Sequence, residues 1–219
     1  MLNKNILSSS IPSLRLTDDV RHALDMMEEN HCSELAVVNG DLFEGLVLES
    51  DLLSVDEGEE IQVIQSRFSK LAAQANSHVF EAVQLANEYH LTVVPVVDKE
   101  GHYLGVISNA DLLLQLGTIN GVKTAGAIIV LEMENKAFSF SEISKLVETN
   151  DAQITQLNTH WDPATESFLV TLKINKFEVS DILATFQRYE YSVRHFFGEE
   201  QYENELKSNF DHLMNYLNI

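Results

Sequence analysis

The 219-residue sequence has one cysteine, Cys32, three prolines and nine glycines. A single thiol forbids an internal disulfide and a zinc site built from several cysteines. Basic residues are also scarce, 14 Lys and Arg against 34 Asp and Glu, for a formal net charge of −20. Residues 1–120 carry 6 basic and 19 acidic side chains, and residues 121–219 carry 8 and 15. Neither part offers the cationic surface that nucleic acid or an anionic membrane attracts. No stretch approaches the ~20 apolar residues of a membrane span. The opening MLNKNILSSSIPSLRLTDD lacks the apolar run of a secretory leader, so a cytoplasmic protein is expected.

Catalytic and metal motifs are missing as well. The eight histidines form no His-x-x-x-His pair, and there is no Walker-type loop, no Gly-x-Ser-x-Gly elbow and no Gly-x-Gly-x-x-Gly. His31 and Cys32 are adjacent in sequence, which does not make a facing nucleophile–base pair. Carboxylates are so abundant that pairs arise by chance. Neither an enzyme nor a metal centre is expected.

Against these absences stand a 45% hydrophobic content, ample for buried cores, and an internal duplication. Thr17 precedes the stripe Val20, Ala23, Leu24, Met27, and Asn76 precedes Val79, Ala82, Val83, Ala86. This is the i, i+3, i+4, i+7 spacing of a helix face, and Thr17 and Asn76 are candidate N-caps. The offset is 59, and it holds for His31 and His90, which fall at helix C-terminal ends and read as structural. Apolar runs follow, Leu35–Val38 and Val93–Val97, each closed by a turn. The second turn is one residue longer. Gly45 then pairs with Gly105, and Asp51-Leu52-Leu53 with Asp111-Leu112-Leu113. Each copy reads helix, strand, turn, strand, helix, too short to bury both sheet faces alone.

These residues resemble a tandem pair of CBS (cystathionine-β-synthase) domains, a Bateman module, over roughly residues 8–118. The second copy carries the telling run Gly105-Val106-Ile107-Ser108-Asn109-Ala110-Asp111, and Val94-Pro95 matches the family's apolar-Pro step. The resemblance implies a regulatory module that binds an adenine nucleotide (AMP, ADP or ATP), or S-adenosylmethionine, in a cleft between the repeats. The expected ligand residues are Val94, Pro95, Gly105, Ile107, Ser108 and Asp111, with Asp51 from the first copy. Asp111 would accept the ribose hydroxyls, Ser108 would contact ribose or phosphate, and Val94-Pro95 with Ile107 would wall the adenine. The same Ser and Asp could simply cap a helix. In the first copy Leu48 stands where Ser108 stands in the second, so one good site per chain is expected. Only Lys4, Arg15, Arg21, Arg67, Lys70 and Lys99 could meet phosphate charge there. A ligand with little phosphate fits better than bare ATP.

After residue 118 the pattern changes. Residues 119–126 read as a linker, and Ala127–Leu131 as a buried strand. Ser139 and Glu142 make a capping box for a helix containing Ile143, Leu146 and Val147. A strand over 152–159, a turn at Asp162–Thr165, and strict alternation of Phe168, Val170, Leu172 and Ile174 follow. A helix over 178–189 and a strand around Tyr191, Val193 and His195 complete a βαββαβ order. This part is similar to an ACT domain, and the whole chain resembles the CBS–ACT proteins grouped with acetoin-utilisation regulators. Glu134-Asn135-Lys136-Ala137 occupies the loop where amino-acid-binding ACT domains place a glycine, which favours dimerisation. Residues 199–219, with Tyr202, Leu206, Phe210, Leu213, Met214 and Leu217 at three-to-four spacing, read as an amphipathic helix.

The expected fold is α+β or α/β: two βαββα CBS repeats over 1–60 and 61–118, a ferredoxin-like ACT-like domain over 127–198, and the final helix. The expected function is adenosyl-ligand sensing by a homodimer that acts on an unidentified protein target. A dimeric scaffold with degenerate sites is the alternative.

Overall fold

A computed structural model describes residues 1–198, in which Met1–Ile119 form one compact unit and the residues from Asn120 onward a second. The expected helix at 199–219 lies outside the described residues.

The first unit is built twice from one plan. Strand β1 (Leu14–Arg15), helix α1 (Val20–Glu29), strands β2 (Glu34–Asn39) and β3 (Leu42–Leu48) and the short helix α2 (Glu49–Leu52) form the first copy. Strand β4 (Ala73–Gln74), helix α3 (Val79–Tyr89), strands β5 (Val93–Val97) and β6 (Tyr103–Ser108) and helix α4 (Asn109–Ile119) form the second. Each copy is a three-stranded sheet, β1-β2-β3 and β4-β5-β6, with the first pair parallel and the second antiparallel.

The helices start where the stripes start, and this moves the caps. Asp19, not Thr17, caps α1, accepting from the His22 N–H at 2.6 Å. His78, not Asn76, caps α3 through Nδ1, which accepts from the Phe80 N–H at 3.3 Å. A cap sits directly before the first helical residue, and the helices begin at Val20 and Val79. At the other ends His31 and His90 adopt the left-handed conformation, with φ of 52° and 55°. They end the helices through the backbone, as the αL termination motif does.

The repeats meet at a pseudo-two-fold axis. The Phe43 N–H donates to the Gly101 carbonyl at 3.1 Å, and the Tyr103 N–H to the Asp41 carbonyl at 2.8 Å. Phe43 and Tyr103, equivalent residues, stack with centroids 6.4 Å apart. Each repeat also takes a strand-like segment from the chain that precedes the other. Ser69 pairs with Leu46 by reciprocal backbone bonds of 2.8 and 2.9 Å, and the Ser8 N–H donates to the Val106 carbonyl at 2.8 Å. Residues 1–8 therefore belong with the second repeat: the Asn3 and Lys4 N–H groups donate to Ser77 and Ala75.

The second unit runs β7 (Ala127–Met133), α5 (Phe140–Glu148), β8 (Ile154–Asp162), β9 (Ser167–Ile174), α6 (Ser180–Arg188) and β10 (Ser192–Phe197). Its four strands form one antiparallel sheet ordered β10-β7-β9-β8. Ser139 caps α5 as its capping-box pattern implies, accepting from the Glu142 N–H at 3.4 Å. Strand β8 runs three residues beyond the 159 boundary expected, because Thr159–Asp162 continue the ladder to Ser167. Helix α4 likewise continues through Gly117 and Thr118, whose hydroxyl donates to the Leu114 carbonyl at 2.9 Å.

Candidate functional site

The β6–α4 junction gathers three side chains. The Ser108 hydroxyl donates to Asp111 Oδ2 at 2.5 Å and in turn accepts from the Asp111 N–H at 3.1 Å. The Ser8 hydroxyl also donates to Asp111 Oδ2, and it accepts from the Ser108 N–H at 3.1 Å. All three residues are less than fully buried. Partial burial alone would raise the Asp111 carboxyl. The hydroxyls of Ser108 and Ser8 and the Ser108 N–H outweigh it and hold the carboxyl below its ordinary pKa. Asp111 is thus an ionised acceptor fixed at the first turn of α4, where the helix dipole favours negative charge. Among the described residues, none donates to its second oxygen, Oδ1.

Of the other expected ligand residues, Gly105 lies on β6 with φ of 144°, against Leu7 of the amino-terminal segment. Val94 and Ile107 are cross-strand partners with no exposed surface, and Pro95 is buried opposite Val106. Val94 and Ile107 pack with Val79, Ala82 and Leu112 in the core, so in this conformation they underlie the junction and do not line it. Their strictly apolar, β-branched character is that of a central strand.

Asp51 and the first-copy junction are different. Leu48 precedes α2 without a side-chain cap, where Ser108 caps α4. Asp51 is half-buried, and its carbonyl accepts from the Ser54 hydroxyl at 2.7 Å. Phe68 and Ser69 press on Gly45 there: a Cβ at Gly45 would lie 2.7 Å from Phe68 Cβ and 2.8 Å from the Ser69 carbonyl oxygen. The same construction at Gly105 meets only Leu7, at 3.4 Å. Gly105 is thus less tightly enclosed than Gly45.

Sequence reading missed Ser8 and Glu34. Ser8 is visible only once the Ser69 segment is matched to it as the equivalent strand of the other copy. Glu34 is a 2%-exposed carboxylate at the seam between the repeats. It accepts from the Thr92 N–H, the Thr92 hydroxyl at 2.9 Å and the Val93 N–H at 2.7 Å. In the second copy Val93 takes its place, so the buried charge exists on one side only.

Other reactive groups are occupied. A cavity of about 480 Å³ beside α1 is lined in part by Leu24, Met27, His31, Cys32 and Glu49. Burial, then the nearby Glu34 charge, pushes the Cys32 thiol up to about 11, so it stays protonated at neutral pH. Asp98, Glu100 and His102 place ligand atoms within 4.8 Å of one another on the exposed β5–β6 turn. The Asp98 carboxylate already serves that turn, accepting from the Glu100 and His102 N–H groups and pairing with the His102 ring at 2.9 Å. Among the described residues, no helix is long and apolar enough to cross a membrane.

The paired three-stranded sheets with crossed amino-terminal segments define a two-repeat module. The CBS domain family model matches residues 4–58 and 69–117, and the first unit is a tandem pair of CBS domains. Inosine-5'-monophosphate dehydrogenase of Thermoplasma acidophilum is 28% identical over 91 residues, 42% of this chain and 19% of the dehydrogenase. The chain thus spans about a fifth of that enzyme's length. A CBS domain-containing protein of Dictyostelium discoideum is 27% identical over 129 residues, 52% of this chain and 89% of that protein. Among solved structures, a CBS domain pair/ACT domain protein from Thermotoga maritima aligns with a TM-score of 0.48 at 25% identity, covering 53% of this chain and 96% of that one. CBSX2 in complex with AMP aligns with a TM-score of 0.43 at 20% identity, covering 54% and 97%.

Proposed function

We propose that this chain is a non-enzymatic regulatory protein whose second CBS repeat binds an adenine nucleotide or another adenosyl ligand. The observation that carries the reading is the Ser8–Ser108–Asp111 cluster, an ionised carboxylate held by two hydroxyls at the start of a helix. Asp111 accepts the ribose diol, Ser108 contacts ribose or phosphate, and Gly105 lets the backbone approach the ligand. Val94, Pro95 and Ile107 support the adenine side, and Asp51 faces the ligand from the first repeat.

Charge favours a ligand with little phosphate. Arg21 is paired with Glu57 at 3.2 Å, Lys70 with Glu44 at 3.8 Å, and Arg67 donates to Ser54 at 2.8 Å. AMP or S-adenosylmethionine therefore suits the acidic unit better than unaccompanied ADP or ATP.

In this reading residues 1–60 and 61–118 sense the ligand, 119–126 link, and 127–198 form an ACT-like domain, its split βαββαβ order supporting that assignment. This domain dimerises the chain in the cytoplasm and transmits the ligand state to a protein target. Coupling of that kind amounts to ~1–3 kcal/mol, the ligand's differential affinity for two states. A dimeric scaffold without ligand is the second reading, favoured by Leu48 in place of a serine and by an Asp111 already bonded by its own chain.

Titration calorimetry with AMP, ADP, ATP with and without Mg²⁺, adenosine and S-adenosylmethionine decides between them. Binding of one adenosyl compound, lost in Asp111→Ala, is the expected result. No binding by any of them overturns the sensor reading in favour of the scaffold.

A further inference from the structure

The amino-terminal segment lies across the groups that the β6–α4 junction offers a ligand. The Leu7 side chain comes against Gly105, 3.4 Å from where a Cβ would stand. The Ser8 hydroxyl takes two further groups at once: it accepts from the Ser108 N–H at 3.1 Å and donates to Asp111 Oδ2. Oδ2 also accepts from the Ser108 hydroxyl at 2.5 Å. Two hydroxyl donors fill the two lone pairs of that oxygen, which leaves Oδ1 to accept from outside. A ribose diol that grips a carboxylate with one hydroxyl on each oxygen therefore meets Ser8 on Oδ2. A ligand oxygen that approaches the Ser108 N–H meets the same hydroxyl.

This contact does not follow from the crossover alone. Phe68 and Ser69 cross the first repeat as Leu7 and Ser8 cross the second, with Ser69 bonded to Leu46 and Ser8 to Val106. The Ser69 hydroxyl, however, accepts from the Leu71 N–H at 3.4 Å, within its own segment. The crossing serine is tied to the helix-start aspartate in the copy that carries Ser108.

The segment is also anchored independently of Ser8. Asn3 has no exposed surface, and its N–H donates to the Ser77 carbonyl at 3.0 Å. Its Nδ2 donates to the Gln74 carbonyl at 2.9 Å and to Glu81 at 3.0 Å. Ser8 itself is half-buried, and the exposed Ser9 and Ser10 follow it. Rotation of one serine side chain between staggered wells frees Oδ2 and the Ser108 N–H without unseating the anchor.

We propose that Ser8 is an autoinhibitory residue: in the free protein its hydroxyl holds the ligand's place on Asp111 and Ser108, and binding displaces it. The inference rests on the adenosyl-ligand reading of this junction. Apparent affinity is then reduced by the fraction of molecules in which Ser8 has turned away. Removing the hydroxyl raises affinity, the opposite of what the loss of a merely supporting contact would do.

The test is calorimetric titration of the full chain, Ser8→Ala and Ser69→Ala with AMP, ADP, ATP with Mg²⁺, adenosine and S-adenosylmethionine. Ser8→Ala is expected to bind the recognised compound about fivefold more tightly than the wild type, the worth of one hydrogen bond. Ser69→Ala, the equivalent change in the first repeat, is expected to bind as the wild type does. Equal or weaker binding by Ser8→Ala overturns the inference and leaves the site assignment standing. No binding of any compound by the wild type or Ser8→Ala overturns the site assignment itself, and the inference with it.

Discussion

The hydroxyl of Ser8 donates to the carboxylate of Asp111 across 103 positions of sequence. The bond ties the segment before the first repeat to the helix that ends the second. Ser8→Ala is expected to cost about 1 kcal/mol, the ordinary net worth of one hydrogen bond. The pH dependence has a definite sign. Asp111 is held below its ordinary carboxyl pKa, so its bonds contribute stability above about pH 4 and lose it as pH falls through the folded-state value. Urea unfolding at pH 7 and again below pH 3 checks this: the wild type exceeds Ser8→Ala at pH 7, and the gap narrows in acid. A gap that widens in acid would contradict the assignment.

Gly45 and Gly105 share φ of 144°, yet the chain crosses them at different distances. Alanine is strained at both positions. At Gly45 it also collides with Phe68 Cβ and a backbone carbonyl, whereas at Gly105 it meets a leucine side chain at ordinary contact distance. Gly45→Ala is expected to destabilise by at least about 1 kcal/mol more than Gly105→Ala. Parallel denaturation curves of the two variants give the comparison.

Glu34 joins the repeats through Thr92 and Val93 with no exposed surface to spare. Glu34→Ala leaves two strand-end N–H donors and a hydroxyl without their acceptor. The expected loss is roughly 2–4 kcal/mol. Thr92→Val removes only the hydroxyl bonds and is expected to cost about 1 kcal/mol. Thermal unfolding of both separates the contributions, and an equal loss in the two would contradict this partition.

Asp98 and His102 pair across an exposed turn. The Asp98 hydrogen bond and charge raise the His102 pKa, and the reciprocal bond lowers that of Asp98. The raised histidine contributes below its ordinary pKa and stops contributing as pH rises through the folded value. The lowered aspartate contributes above its ordinary pKa and stops as pH falls. The pair is therefore strongest between about pH 4 and 6.5. An NMR titration should place His102 above about 6.5, and Asp98→Asn should bring it back toward that value.

Repetition made most of the first unit readable. The 59-residue offset reappears as closely matched positive φ values at His31 and His90, because a duplicated sequence repeats its left-handed positions along with its apolar stripe. Caps were harder. Thr17, Asp18 and Asp19 are all good capping residues, and only the position of the first helical turn selects Asp19. Ser8 was illegible because its meaning comes from a crossover that local pattern does not encode. Glu34 looks like any acidic residue beside a strand until its burial at the seam is known. Leu169, an outward position in the period-two pattern, is buried for reasons that the strand's own residues do not state.

The most direct test of the central claim is thermal unfolding of the full chain with each adenosyl compound, beside Asp111→Ala. A ligand at about 100 times its Kd stabilises by ~2.7 kcal/mol, which corresponds to roughly 5–10 °C at ~2–4 °C per kcal/mol. The account predicts that shift for at least one compound with the wild type and none with the variant, whose own unfolding stays cooperative. A shift of equal size in Asp111→Ala, or none for any compound with the wild type, would contradict it.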